Sequence, residues 1–252
     1  MTNHDLVRLK DAGTFPKVSL TEPNGRGYVL LAGEVDRRPP IGYFIESAAK
    51  KRLIADIKAL LPTLKTHAAV EEATLFKALL IPPGRGAFLE KRPDVHIARY
   101  DVALLVRVTT PEEAATVAAL PEFAAIEARM NEAAKHCYRM VGANLRRIGE
   151  VDHSRDGVFL LNYFFAADET QNLAVWDYTA GWFQDQTGLD NSVLTRPLDQ
   201  QGARYTIINH CRWDSLSDIV PSLLFKRSFG RYVLAHFEAN DTAAIPILYR
   251  LA

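Results

Sequence analysis

The run "GVFLLNYFFA" at residues 157–166 is apolar at nearly every position and has strand length, which predicts a β-strand covered on both faces. In the segment that follows, "TQNLAVWDYTAGWFQDQTG" (170–188), Leu173, Trp176, Ala180 and Phe183 fall at helical spacing, with Asp168 as the cap and Gly188 as the stop. Two further strands, 192–199 and 203–213, are joined by the polar turn "DQQG". A helical region over 215–239, interrupted at Pro221, and a last strand "AAIPILYRLA" complete a β-α-β-β-α-β order.

The same order recurs upstream. "GYVLLAGEV" (27–35) is a strand, and 44–64 holds a helix with Ile45, Ala48, Ala49, Leu53, Ile57 and Leu60 at helical spacing. Strands at 70–81 and 97–108 follow. Thr110-Pro111-Glu112-Glu113 then starts a helical stretch reaching about His136, and a strand at 137–150 ends the unit. The pattern divides the chain into an N-terminal extension (1–26) and two repeats, 27–150 and 151–252. Repeat one carries a long connection, "PPGRGAFLEKRPDVH" (82–96), where repeat two has a short turn. Long loops inside compact domains are more often functional or partner-facing than idle.

Two tandem units of this order, with aromatic-rich helices, resemble the dimeric α/β-barrel superfamily, in which two ferredoxin-like units set their sheets face to face around a shared cavity. The resemblance implies an α+β fold: two ferredoxin-like β-α-β-β-α-β repeats forming an intramolecular, pseudo-dimeric α/β barrel. It covers about residues 27–252 and rests on element order, so it bears on fold more than on function. The superfamily includes cofactor-free monooxygenases of aromatic polyketides, haem-degrading enzymes, lactone isomerases, haem peroxidases and chlorite dismutases.

Composition narrows the partners. Thirty acidic residues balance 30 basic ones, so no long-range field favours nucleic acid. No stretch approaches the roughly 20 apolar residues of a membrane helix, and "MTNHDLVRLK" lacks the apolar region of a signal peptide. The expectation is a cytoplasmic protein, monomer or homodimer, whose two cysteines, Cys137 and Cys211, are buried thiols.

Candidate chemistry centres on "IINHCRWD" (207–214). Period-two alternation sends Tyr205, Ile207, Asn209, Cys211 and Trp213 toward the helices, and Thr206, Ile208, His210 and Arg212 into the barrel. There His210 could act as acid, base or ligand, Arg212 could hold an anion, and Thr206 could line the cavity. The competing reading pairs His210 and Arg212 with carboxylates such as Asp214 or Asp152. The pairs His136-Cys137 and His210-Cys211 do not make a zinc site, because strand neighbours point to opposite faces.

Asn162 and Tyr163 enter through the resemblance, since cofactor-free monooxygenases of the superfamily position aromatic substrates with Asn, Trp and Tyr side chains. Trp176, Tyr178 and Trp182 make helix 170–188 apolar on more than one side. That helix lies either under the N-terminal segment or against a partner or substrate. Arg85, between two glycines, is a flexible loop tip or an anion-closing lid residue. Asp152, His153, Arg155 and Asp156 form an inter-repeat turn or a proton relay at the barrel mouth.

These residues suggest a small-molecule enzyme or binding protein acting on a hydrophobic or aromatic molecule between the repeats, such as a cofactor-independent monooxygenase or isomerase. Haem binding or degradation is one alternative, with His96, His136 and His210 available as ligands. A non-catalytic scaffold is another. An enzyme requires a closed polar–apolar cavity containing His210 and Arg212; a scaffold requires a filled barrel and an exposed aromatic patch on helix 170–188.

Overall fold

The computed structural model describes residues 6–82 and 87–252. Eight strands form one closed antiparallel barrel in the order β1-β3-β2-β8-β5-β7-β6-β4. The first four are β1 (Gly27–Glu34), β2 (Val70–Leu80), β3 (Val102–Val108) and β4 (His136–Gly149); the last four are β5 (Val158–Ala166), β6 (Ser192–Pro197), β7 (Ile207–Trp213) and β8 (Thr242–Leu251). Within each set of four the spatial order is the ferredoxin-like one. The sets join edge to edge, β2 with β8 from Phe76↔Leu251 and β4 with β6 from Gly142↔Pro197, so the barrel closes within one chain and leaves no free edge.

The near-continuous apolar strands follow from that closure. On β5, Phe159, Leu161 and Tyr163 enter the barrel, while Val158, Leu160 and Phe164 pack under helices. One helical layer, α1 (Ala48–Leu64), α2 (Pro111–Ala118) and α3 (Pro121–Ala133), covers β1–β4. The other covers β5–β8 with α4 (Glu169–Thr187), α5 (Leu216–Phe225), a π-helical turn Phe229–Leu234 and α6 (Ala235–Ala239). Asp168 caps α4 by accepting from Gln171 N at 2.8 Å, and Gly188 ends it at φ 66°, as its sequence implies.

Several boundaries differ from those read off the sequence. The helix expected from 110 to 136 is two, because Pro121 holds the preceding Leu120 extended (φ −64°, ψ 144°). Strands β3 and β7 start later than expected, at Val102 and Ile207, so alternation does not reach residues 205–206. At Pro221, where a break or kink is expected, the helix does not break: α5 runs through the proline and stops at Phe225. Proline removes one backbone hydrogen bond there, while Ser215 N donating to Asp218 Oδ2 (2.8 Å) and buried Ile219 fix the helix start.

The N-terminal segment crosses α4. Phe15 packs on Trp182 and Tyr232, with ring centroids 6.5 and 4.7 Å apart, and Val18 is buried in the same layer. Of the two positions open to α4, the structure therefore takes the one beneath the N-terminal segment. No helix among the described residues is long and apolar enough to cross a membrane.

Candidate functional site

His210, inward on β7, is buried, and its Nδ1 lies 2.9 Å from the Leu160 carbonyl oxygen. A carbonyl only accepts, so Nδ1 carries the proton. Burial and the nearby His153 charge lower the His210 pKa to about 3, which keeps the ring neutral and leaves Nε2 as an acceptor. His153 Nε2 lies 2.8 Å from that acceptor and must donate to it.

On its other side, His153 Nδ1 lies 3.0 Å from Glu72 Oε1, out of line for a well-formed hydrogen bond but within ion-pair distance. Burial raises the Glu72 pKa, yet the close contact with His153 and the charge of Arg107 outweigh it and hold the group below its ordinary value. Glu72 is thus a carboxylate facing His153 Nδ1, and His153 Nε2 carries the proton that it donates to His210. The result is a directional line: Glu72 carboxylate, His153, neutral His210, Leu160 carbonyl.

Three segments assemble this line. Glu72 sits beside Arg107 where β2 pairs with β3, His210 faces Leu161 across the β5–β7 ladder, and His153 turns inward from the β4–β5 connection. Phe76 and Phe159 surround the two imidazoles, at centroid distances of 5.5–6.1 Å. Beside them an enclosed cavity of about 20 Å³ is bordered by Leu30, Leu105, Met140, Val193 and Ile208, with Tyr28, Arg107 and Glu150 at its outer side. That volume holds a water or a diatomic molecule.

The remaining candidates are distributed as follows. Arg212 does not line this cavity: its Nη1 donates to Asp214 Oδ1 (2.8 Å) and Nη2 to the Asp156 carbonyl (2.5 Å), the carboxylate-paired alternative. Thr206 is outside the barrel, because the strand begins at Ile207; it accepts from Asn172 Nδ2 of α4 at 3.1 Å, and Tyr205 points inward instead. Asn162 and Tyr163 are adjacent on β5 and so lie on opposite faces. Asn162 lies opposite Asn209 on β7 and lines a cavity of about 30 Å³ against α4, where its Oδ1 has no partner.

Tyr163 is inside the barrel, in a cluster with Tyr100, Tyr138, Tyr205 and Tyr249. Its hydroxyl lies 3.4 Å from that of Tyr249, and burial raises its pKa well above the ordinary phenol value. Trp176, Tyr178 and Trp182 lie on the helical side, away from the barrel interior. Trp182 Nε1 donates to Ser228 Oγ at 3.1 Å, and Tyr178 packs on Tyr232 and His236. Arg85 lies outside the described residues. The inter-repeat segment divides between its two readings: exposed Asp152 accepts from Ser154 N and Arg155 Nε, as a turn does, while His153 enters the site.

Glu72 escaped the sequence reading. The signal was there, a carboxylate in the inward row Glu72, Thr74, Phe76, Ala78, where it is the one charged member. The tyrosine cluster had no such signal, since its members come from separate segments.

No protein-family model matches this sequence, and no curated protein matches it either. Among solved structures, it is similar to an anthrone oxidase-like protein at 11% identity and a TM-score of 0.60, over 92% of this chain and 94% of that one. A proposed monooxygenase of Fusobacterium nucleatum subsp. nucleatum aligns at 8% identity and a TM-score of 0.51, over 90% and 94%. A chlorite dismutase from Candidatus Nitrospira defluvii aligns at 8% and 0.48, over 92% of each chain. At these identities the likeness is one of fold: the chain has the dimeric α/β-barrel, ferredoxin-like architecture, with both halves in one polypeptide.

Proposed function

We propose that this chain is a small-molecule enzyme or binding protein whose working centre is the Glu72–His153–His210 line, acting on a hydrophobic or aromatic molecule by proton transfer without a tightly bound cofactor. The observation that carries this reading is the 2.8 Å Nε2–Nε2 contact between His153 and the neutral imidazole of His210 at the wall of an apolar cavity. His153 is the proton donor in this scheme, Glu72 its counter-ion and His210 the acceptor with which it shares the proton. The 20 Å³ cavity is far smaller than an aromatic ring system, so an organic substrate reaches the histidines only as the connection bearing Val151 and His153 moves outward. The same cavity accommodates dioxygen unchanged, which suits the oxygenase version of this reading.

The cavity is lined by His210 and not by Arg212, and the interior is largely filled, as the scaffold reading asks. That reading also asks for an exposed aromatic patch on α4, whose Trp176 and Trp182 are 4% and 0% exposed, and this favours the enzyme or binding reading. Haem fits the interior poorly. The 20 and 30 Å³ cavities are much smaller than a porphyrin, the ligating atom of His210 is engaged by His153, and His96 is bound to Glu34 at 2.8 Å.

The experiment is a titration of the protein with a neutral aromatic probe, 1-naphthol, followed through the imidazole nitrogen resonances, with dissolved oxygen monitored in parallel. Saturable shifts at His153 and His210 are expected, and the His153→Phe variant should lose them. Resonances that stay fixed at millimolar naphthol would refute the reading, and a Soret band rising on haem addition to the apoprotein would replace it with the haem one.

A further inference from the structure

The other end of the barrel carries a second, larger concavity. Glu72 lies beside Arg107 near the end of β3, whereas Glu34 faces His136 at the start of β4, so the two regions are at opposite mouths. Around Glu34, the ends of β1 and β4 and the segment 93–99 enclose a cleft of about 520 Å³. That lies within the roughly 300–1,000 Å³ typical of small-molecule sites.

We propose that this cleft binds a small amphipathic organic anion: a carboxylate carried on an aromatic or short alkyl body. The charge argument comes first. Arg37, Arg99, Lys135 and His136 line the cleft, and none has a carboxylate partner among the described residues. Two of the acids there are already engaged. Glu34 Oε1 contacts His96 Nε2 at 2.8 Å and accepts from Arg99 N at 3.0 Å, and Asp36 Oδ2 accepts from Ser47 N at 2.9 Å. With exposed Asp94 the three acids balance Arg37, Arg99 and Lys135 in formal charge, but the engaged acids leave the side-chain donors of those cations as the free hydrogen-bonding capacity of the cleft.

The apolar argument is independent. Val95 and Ile97, partly buried beside buried Tyr43, form part of the lining, so a bare inorganic anion would leave apolar surface uncovered. The lining is also held in place before any ligand arrives. Buried Asp101 accepts from Val35 N (2.6 Å) and Asp36 N (3.2 Å) and pairs with buried Lys50 at 3.2 Å, which fixes the turn out of β1. Preorganisation of this kind removes ordering cost from binding. The long connection of repeat one supplies one wall, through Pro93 to Arg99, which gives that insertion a role.

The test is calorimetric titration of the full chain with 1-naphthoate at low ionic strength, alongside 1-naphthamide as the neutral isostere and inorganic phosphate as the bare anion. Saturable binding of naphthoate at one site is expected, with the amide and phosphate each at least tenfold weaker. The Arg99→Gln/Lys135→Gln variant should weaken naphthoate at least tenfold. Arg37→Gln, at an exposed loop position, provides a second charge deletion should the double variant not fold. Absence of saturation, equal affinity in the charge-deleted chains, or phosphate binding as tightly as naphthoate would each overturn the proposal.

Discussion

His153 Nε2 stands 2.8 Å from His210 Nε2, and because His210 Nδ1–H is committed to the Leu160 carbonyl, the bond between the imidazoles runs in one direction. The rings are nearly parallel, 28° apart, with centroids 5.1 Å apart. Two histidines in such contact are stable only if at most one is charged, and the ring buried against Phe76 and Phe159 is neutral, while the other faces Glu72.

Nitrogen-15 spectra of the imidazoles at neutral pH should therefore show His210 as the Nδ1–H tautomer with a bare Nε2, and His153 with a proton on Nε2. Replacing the carboxylate with Glu72→Gln should leave the His210 tautomer unchanged, because the Leu160 carbonyl sets it. A His210 resonance typical of imidazolium at pH 7 would contradict the assignment.

Acid stability should carry the signature of His210. Its folded pKa, about 3, lies below the ordinary 6.5, so between these values the unfolded chain binds the extra proton and the native one does not. Stability from this group is fully present above pH 6.5 and is lost progressively as the pH falls toward 3. Denaturant unfolding of His210→Gln across that window should show a pH slope shallower than wild type by up to about 1.4 kcal/mol per pH unit. Identical slopes would mean that His210 titrates normally in the native state.

Gly181 admits the N-terminal segment onto α4: a Cβ there would lie 1.9 Å from the Pro16 carbonyl oxygen. Gly181→Ala should lift residues near Phe15 off Trp182, shift tryptophan emission to the red and open that segment to proteolysis, at about 1–3 kcal/mol. Unchanged emission and protease resistance would show that the segment is not held by this contact.

The pair Lys50–Asp101 is buried on both sides. Burial raises the Asp101 pKa, opposed by the Lys50 charge and by the bonds from Val35 N and Asp36 N. Lys50→Met strands that carboxylate and should cost about 3–5 kcal/mol in urea unfolding at neutral pH. The loss should shrink in acid, where Asp101 protonates. A loss under 1 kcal/mol at pH 7 would show that water reaches the pair.

Much of the architecture was legible before the structure. The duplicated element order, the strand at 157–166, the Asp168 cap and the Gly188 stop all rest on local chemistry, which one segment expresses alone. Alternation along "IINHCRWD" likewise placed His210 inward and Cys211 with Trp213 under the helices, as the packing shows. The same rule failed at Thr206 and Tyr205, because ladder pairing with Phe164 begins only at Ile207.

What the sequence by itself determined is the set of secondary elements, their order and the inward or outward sense of residues inside regular strands, because backbone periodicity and capping act over a few residues. Only the tertiary structure decided which inward residues meet. Glu72, His153 and His210 are far apart in sequence and converge through barrel closure, while Arg212, expected beside His210, turns to Asp214 and the Asp156 carbonyl. "IINHCRWD" thus contributes one member of the site, and its partners Glu72 and His153 come from a strand and a turn whose proximity no local pattern encodes.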